Sequence, residues 1–338
     1  MSIYRLPMNR SRRGFETGFS LVELMVSLAL GLLIVSGLSV LFFNSSQVST
    51  ELDKSVRQIE SGRYAMDVLS DDIRLAGFYY EIPALTYTAV TVDACASTVT
   101  DSGWDFTALK IPAAIVGASS TQASSLSCLP NAKSGTVALA VHRFETSTTT
   151  VAATDLASIY VQTSRCDKDP ATSLITVDTS ATPFTLRDQD CITVKPVHRY
   201  VTRIYYVASC NECGVDTTPT LKRVEISGTK KTTSPLAEGV EEIAFEYGFD
   251  TNNNGEPDVY LLGLSGTAGA ADNDWSNVVA VRTYLLTRTT EATAGFSDPK
   301  TYNLGMSGSR GPYTDNYKRR IYSSTIRLNN VAGPRESS

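Results

Sequence analysis

The sequence predicts an α+β protein, in which one long N-terminal helix packs through its second half on a large antiparallel β-sheet body. Three features of the chain predict it. Leu24–Phe43 is a run of twenty residues without a charge. Apolar residues then recur at three- and four-residue steps as far as Ala76, the period of a helix with one stripe to bury. From Phe78 onward, runs of Thr, Val, Tyr and Ile alternate with Gly, Pro, Asn and Asp, the pattern of strands and turns. With 338 residues, 42% hydrophobic and 19% charged, the chain is neither disordered nor a multi-span membrane protein. Thirty basic against 35 acidic residues give a net charge of −5, which argues against a specific nucleic-acid partner.

Arg5, Arg10, Arg12 and Arg13 precede the apolar run, against one acid, Glu16. At 1.5 Å per residue the run reaches ~30 Å, the thickness of a bilayer's hydrocarbon core. Arginines before the span and mixed charge after it (Glu51, Asp53, Lys54, Arg57) predict a cytoplasmic N-terminus and an exported body. A cleaved secretory signal has a shorter apolar core followed by a small-residue site. Here the small residue precedes the core. The helix is expected from about Ser20 to Ala76, with Val48, Leu52, Val56, Ile59, Met66, Leu69, Ile73 and Ala76 as its buried stripe and Gly77 as its C-cap. Gly62-Arg63 interrupts that stripe.

The clearest strand runs are Thr136–Phe144, Ser158–Gln162, Ile192–Val194, Val197–Ala208, Leu221–Ile226, Ile243–Phe249, Val278–Arg288 and Arg320–Leu328. The Ser/Thr-rich stretches Ala118–Ser127 and Thr146–Thr150 read as loops. Cys95, Cys128, Cys166, Cys191, Cys210 and Cys213 all follow the membrane run, so three disulfides are expected in an oxidising compartment. Six cysteines allow fifteen connectivities. Cys210 and Cys213 fall between two strand runs, where a hairpin-tip disulfide fits better than a redox or zinc pair. His142 and His198, the only histidines, lie in strand patterns.

Asp250, Asn252 and Asn254 put oxygen side chains at loop positions one, three and five, with Gly255 at six, the front half of a calcium loop. Glu256 and Asp258 could add oxygens, and Asp272 or Asp274 a further carboxylate. Position twelve, normally a bidentate glutamate, is Leu261. Calcium is therefore a candidate cofactor, and the alternative is a tight Asn/Gly turn that needs no ion. Lys318-Arg319-Arg320 reads as a solvated strand edge. No nucleophile elbow, phosphate loop or paired-acid motif is present, so no enzyme is predicted.

The segment GFSLVELMVSLALGLLIVSGL, Gly18 to Leu38, resembles the class III leader and N-terminal helix of type IV pilins and type II secretion pseudopilins. The resemblance implies that residues 1–18 are a leader, that a prepilin peptidase cuts after Gly18, and that the new amine of Phe19 is methylated. It makes 19–77 the pilin helix, with its transmembrane part at 21–43, and 78–338 a periplasmic β-rich domain. Cutting removes four arginines and Glu16, a net +3, and takes the chain from −5 to −8. Glu23 is then a carboxylate four residues from a positive amine on an apolar rod. Pairing it with a neighbouring subunit's amine offsets its burial and sets the axial register.

LSDDIRLAGFYY, GTVALAVHR, VTRIYYVAS, GVEEIAFEYGFDTNNNG and WSNVVAVRTYLLTR further resemble minor pilins of the PilW family. That resemblance implies a low-abundance pilin of the inner membrane that primes assembly with other minor pilins and the major pilin, and that ends at or near the filament tip. The alternatives are a J-type pseudopilin of type II secretion and a membrane-anchored periplasmic protein that never enters a filament.

Overall fold

The structure, a computed structural model, describes residues 18–79, 82, 87–106, 108–169, 174–263 and 274–336. Residues 1–17 of the expected leader, and Asp272, lie outside the described residues. Two units are described separately, one ending at Asp53 and one beginning at Lys54. Helix α1, Leu21–Arg74, has 54 residues and belongs to both. Its first part is apolar on every face and carries the one described segment long and apolar enough to cross a membrane.

In the second unit the chain forms β1 (Thr88–Val90), β2 (Lys110–Pro112), β3 (Ile115–Ala118), α2 (Ser120–Ser125) and β4 (Ala138–Thr149). Then follow β5 (Tyr160–Thr163), β6 (Ile175–Asp178), β7 (Val197–Ala208), β8 (Thr220–Ser227) and β9 (Lys230–Glu238). The remainder is β10 (Val240–Phe249), β11 (Val259–Leu261), β12 (Val278–Arg288), β13 (Tyr302–Asn303), β14 (Ser309–Arg310), β15 (Arg319–Arg327) and α3 (Asn329–Glu336). The described strands make a seven-stranded sheet, a four-stranded sheet and two small pairs. β7 organises the larger sheet. One of its edges takes β4, and the other is shared by β5, at His198 and Arg199, and β8, at Thr202–Ala208. The smaller sheet runs β11-β10-β12-β15, all antiparallel, and the one parallel pair is β1–β2.

Gly239 carries the chain from the first sheet to the second. It has φ +76°, and a Cβ there would lie 2.4 Å from the Arg288 carbonyl oxygen. Only glycine fits so close an approach in that conformation. The main core draws Ala65, Leu69 and Ile73 from α1, Leu139 and Val141 from β4, Tyr205 from β7, Phe245 and Phe249 from β10 and Leu285 from β12. Helix, first sheet and second sheet thus share one apolar interior.

Several sequence expectations change. Ile192–Val194 is not a strand, because the Asp190 carboxylate accepts from the Ile192 and Thr193 N–H groups and turns the chain. Thr146–Thr149 is not a loop but the end of β4, past a register shift between Phe144 and Thr148. Ala118–Ser127 contains α2, closed by a capping box of Ser119 and Gln122. β9 and α3 are additions. β9 is an edge strand with a register shift beside Pro235, so its polar sequence and proline are tolerated.

Candidate functional site

The apolar N-terminal segment comes first. Phe19 and the large apolar residues from Leu21 to Phe43 are all exposed. The helix is unbroken through Gly31 and Gly37, where an added Cβ would meet nothing within 4 Å. Glu23 sits in the first turn; its carbonyl accepts from the Ser27 hydroxyl at 2.7 Å. Its carboxylate has no partner among the described residues. Val48, Leu52 and Val56, expected in the buried stripe, are 60%, 60% and 49% exposed. Burial begins only at Gln58.

From there the helix is seated by polar groups that the apolar period does not reveal. Gln58 Nε2 donates to the Thr287 and Lys318 carbonyls at 3.0 and 3.1 Å, on and beside the second sheet. Gly62, where the stripe seemed to break, lies against the Tyr322 ring, and a Cβ there would come within 2.3 Å of it. One turn before its end, α1 buries Asp72. That carboxylate accepts from Arg143 Nε at 2.9 Å on β4, and from Arg203 Nη1 at 2.8 Å and the Tyr205 hydroxyl at 2.5 Å on β7. Arg203 also pairs with Glu225 of β8 at 2.9 Å. Burial opposes the Arg203 charge, but Asp72 and Glu225 outweigh it and raise its pKa. The Tyr205 hydroxyl is raised too, by burial and then by Asp72. This network joins the helix to three strands, and breaking such a buried pair costs several kcal/mol. Asp72 follows Leu69 by three residues and precedes Ala76 by four, so the helical period turns it, and not Asp71, to the buried face, but gives no sign of the arginines it meets.

Gly77 adopts φ +70° after the helix, yet its N–H goes to the His142 carbonyl at 2.9 Å. The carbonyls of Arg74 and Ala76 are taken by Asn330 of α3, at 3.4 and 3.2 Å. The cap expected from Gly77 alone is therefore shared with a remote side chain.

The disulfides are Cys95–Cys128, Cys166–Cys191 and Cys210–Cys213, and no cysteine is free. The last closes the turn between β7 and β8, as expected. His142 and His198 lie in β4 and β7. His142 Nδ1 is 2.9 Å from the Tyr200 hydroxyl, and His198 Nδ1 donates to the Glu145 carbonyl at 3.0 Å. Arg319 is not on a solvated edge: its side chain is buried, ion-paired with Glu241 and Asp315, and stacked 3.5 Å from the Tyr313 ring centre. Burial opposes its charge, but hydrogen bonds to Asp315 and Glu241 prevail and raise its pKa.

In the Asp250–Asp258 loop the side-chain oxygens turn onto backbone N–H groups. Asp250 accepts from Asn254 and Gly255, Asn252 from Asn254, Asn254 from Glu256, and Asp258 from Thr251. Burial raises the Asp250 carboxyl, but the Gly255 N–H and Arg335 more than offset it and leave its pKa lowered. Glu256 is exposed, Leu261 pairs with Tyr247 in β11, and Asp274 caps the turn at Ser276.

Residues 204–330, from β7 to the start of α3, match the family model described as Type IV Pilus-assembly protein W. The match covers 127 of the 338 residues. The matched PilW residues include all of the second sheet, the Asp250 loop and the Gln58 and Tyr322 contacts on the body side. A solved structure, the type IV-like pilin TTHA1219 from Thermus thermophilus, aligns with TM-score 0.37 and 11% identity over 82% of this chain and 98% of that one. No curated protein matches the chain.

Proposed function

We propose that the chain is a type IV pilus-related pilin, a minor subunit made as an inner-membrane prepilin, cut between Gly18 and Phe19 and methylated on Phe19. Its N-terminus starts in the cytoplasm and its disulfide-bonded body folds in the periplasm. The helix is then drawn from the bilayer into a type IV pilus, where the chain primes assembly with other minor pilins and stays at or near the tip. The observation that carries the reading is the pairing of a match to the PilW family model over residues 204–330 with a segment that is exposed and largely apolar from Phe19 to Phe43. Such a surface needs lipid or other helices around it. Glu23 supplies register: the Phe19 ammonium of a neighbouring subunit offsets its desolvation at one stagger only.

N-terminal mass spectrometry of sheared pili tests the proposal, with methylated Phe19 as the expected first residue. Glu23→Gln is expected to lower recovery in pili while thermal unfolding of the body stays unchanged. Residues 1–18 intact in the mature protein would overturn the reading in favour of a static membrane anchor. Co-purification with secretion-system components instead of pilins would turn it toward a pseudopilin.

A further inference from the structure

The Asp250 loop has the spacing of a cation site and is closed by a side chain from the other end of the chain. The Asp250 side chain is fully buried. Its Oδ1 accepts from the Asn254 N–H at 3.2 Å, and its Oδ2 from the Gly255 N–H at 2.9 Å and from Arg335 Nη1 at 3.1 Å. The second guanidinium nitrogen, Nη2, donates to the Ser276 carbonyl at 2.8 Å and to Asn277 Oδ1 at 3.0 Å. One planar cation therefore spans the loop carboxylate and the turn that leads into β12. The rest of α3 is fitted to the same loop. Gly255 has φ +81°, and a Cβ there would lie 2.7 Å from the Ala332 carbonyl oxygen and 2.9 Å from Glu336 Cγ. Arg327 reaches the Gly255 carbonyl at 3.5 Å and pairs with Glu336.

A carboxylate removed from water needs a counter-charge. Calcium loops provide it with an ion held by six to eight oxygens, including a bidentate carboxylate at position twelve. This loop has Leu261 there, engaged in a strand, and a guanidinium already on Asp250. We propose that Arg335 is the loop's built-in cation: it takes the position of a divalent ion at Asp250, so the C-terminal helix, not calcium, holds the loop closed. A guanidinium suits this place because its fork serves a carboxylate on one nitrogen and two further oxygens on the other. Arg335 and a divalent ion then compete for the same oxygens, and the ion gains entry only when the arginine charge is removed.

The test is thermal unfolding of the full-length chain in detergent, in millimolar calcium and in chelator. Wild type is expected to unfold at the same temperature in both. Arg335→Gln is expected to unfold roughly 5–10 °C lower in chelator and to regain at least half of that loss in calcium. Arg335→Lys, which keeps the charge, is expected to lose less and to gain nothing from calcium. Calcium stabilisation of the wild type would overturn the proposal, because the ion would then enter with Arg335 in place. So would an equal loss for Arg335→Gln in both buffers, which makes Arg335 an anchor and not a cation substitute, or no loss at all.

Discussion

The part of α1 before Asp53 and the part from Lys54 onward are continuous in hydrogen bonding and opposite in design. From Leu21 to Phe43 the side chains are almost all apolar and the large apolar ones all exposed, and Glu23 has no partner among the described residues. After Asp53, Ala65, Leu69 and Ile73 are fully buried, and polar residues fix the seat: Gln58 on carbonyls, Asp72 on two arginines and a tyrosine. Burying Leu69 and Ile73 stabilises the body by about 1.5–3 kcal/mol each. Among the described residues the large apolar side chains of the first part have no such term. The body specifies the seat of one half of the helix and leaves the apolar half exposed.

The sharpest way to break that contrast is Asp72→Ala. It leaves Arg143 and Arg203 buried without their shared carboxylate, and is expected to cost about 3–5 kcal/mol, a fall of roughly 10 °C in the unfolding midpoint. A loss below about 1 kcal/mol would mean that the network does not hold the helix. Next is pH. Burial lowers the His142 pKa from 6.5 to about 4. The unfolded imidazole takes up a proton as pH falls through 6.5, whereas the folded one stays neutral until about 4. The stability linked to His142 is thus complete above pH 6.5 and is lost between 6.5 and about 4, by about 3 kcal/mol. His142→Gln should flatten this part of the profile; an equally steep variant would assign the acid sensitivity elsewhere.

Smaller effects separate the glycines of the two halves. Gly62→Ala drives a methyl into the Tyr322 ring and is expected to cost about 1–2 kcal/mol, net of the better helix propensity of alanine. Combining it with Tyr322→Ala should remove the clash, so additive losses in the double mutant would refute the contact. Gly31→Ala, with nothing within 4 Å, should leave the body's unfolding midpoint within about 1 °C of wild type. A larger fall would show that the first half does contribute to the body's stability.

The amino-acid sequence alone determined the broad plan. A charge-free run of twenty residues requires a long apolar helix, and alternating β-branched and aromatic residues require strands, because both patterns are short-range consequences of side-chain geometry. It also carried Gly18, Phe19 and Glu23 as a motif, the two-residue gap between the paired Cys210 and Cys213, and the Ser119–Gln122 capping box that Ser/Thr richness concealed.

Tertiary structure decided everything that depends on a distant partner. A polar edge strand such as β9 forms because β8 offers a ladder, although its Lys, Pro and Glu residues disfavour extension. The helix α3 contains Gly333 and Pro334 and is held by Asn330 on the end of α1 and Arg335 on Asp250. The helical period alone turns Asp72 rather than Asp71 to the buried face, but only the fold brings Arg143 of β4 and Arg203 of β7 to meet it there. Charges bury only where a counter-charge meets them, and such meetings between residues far apart in the chain are created by the fold.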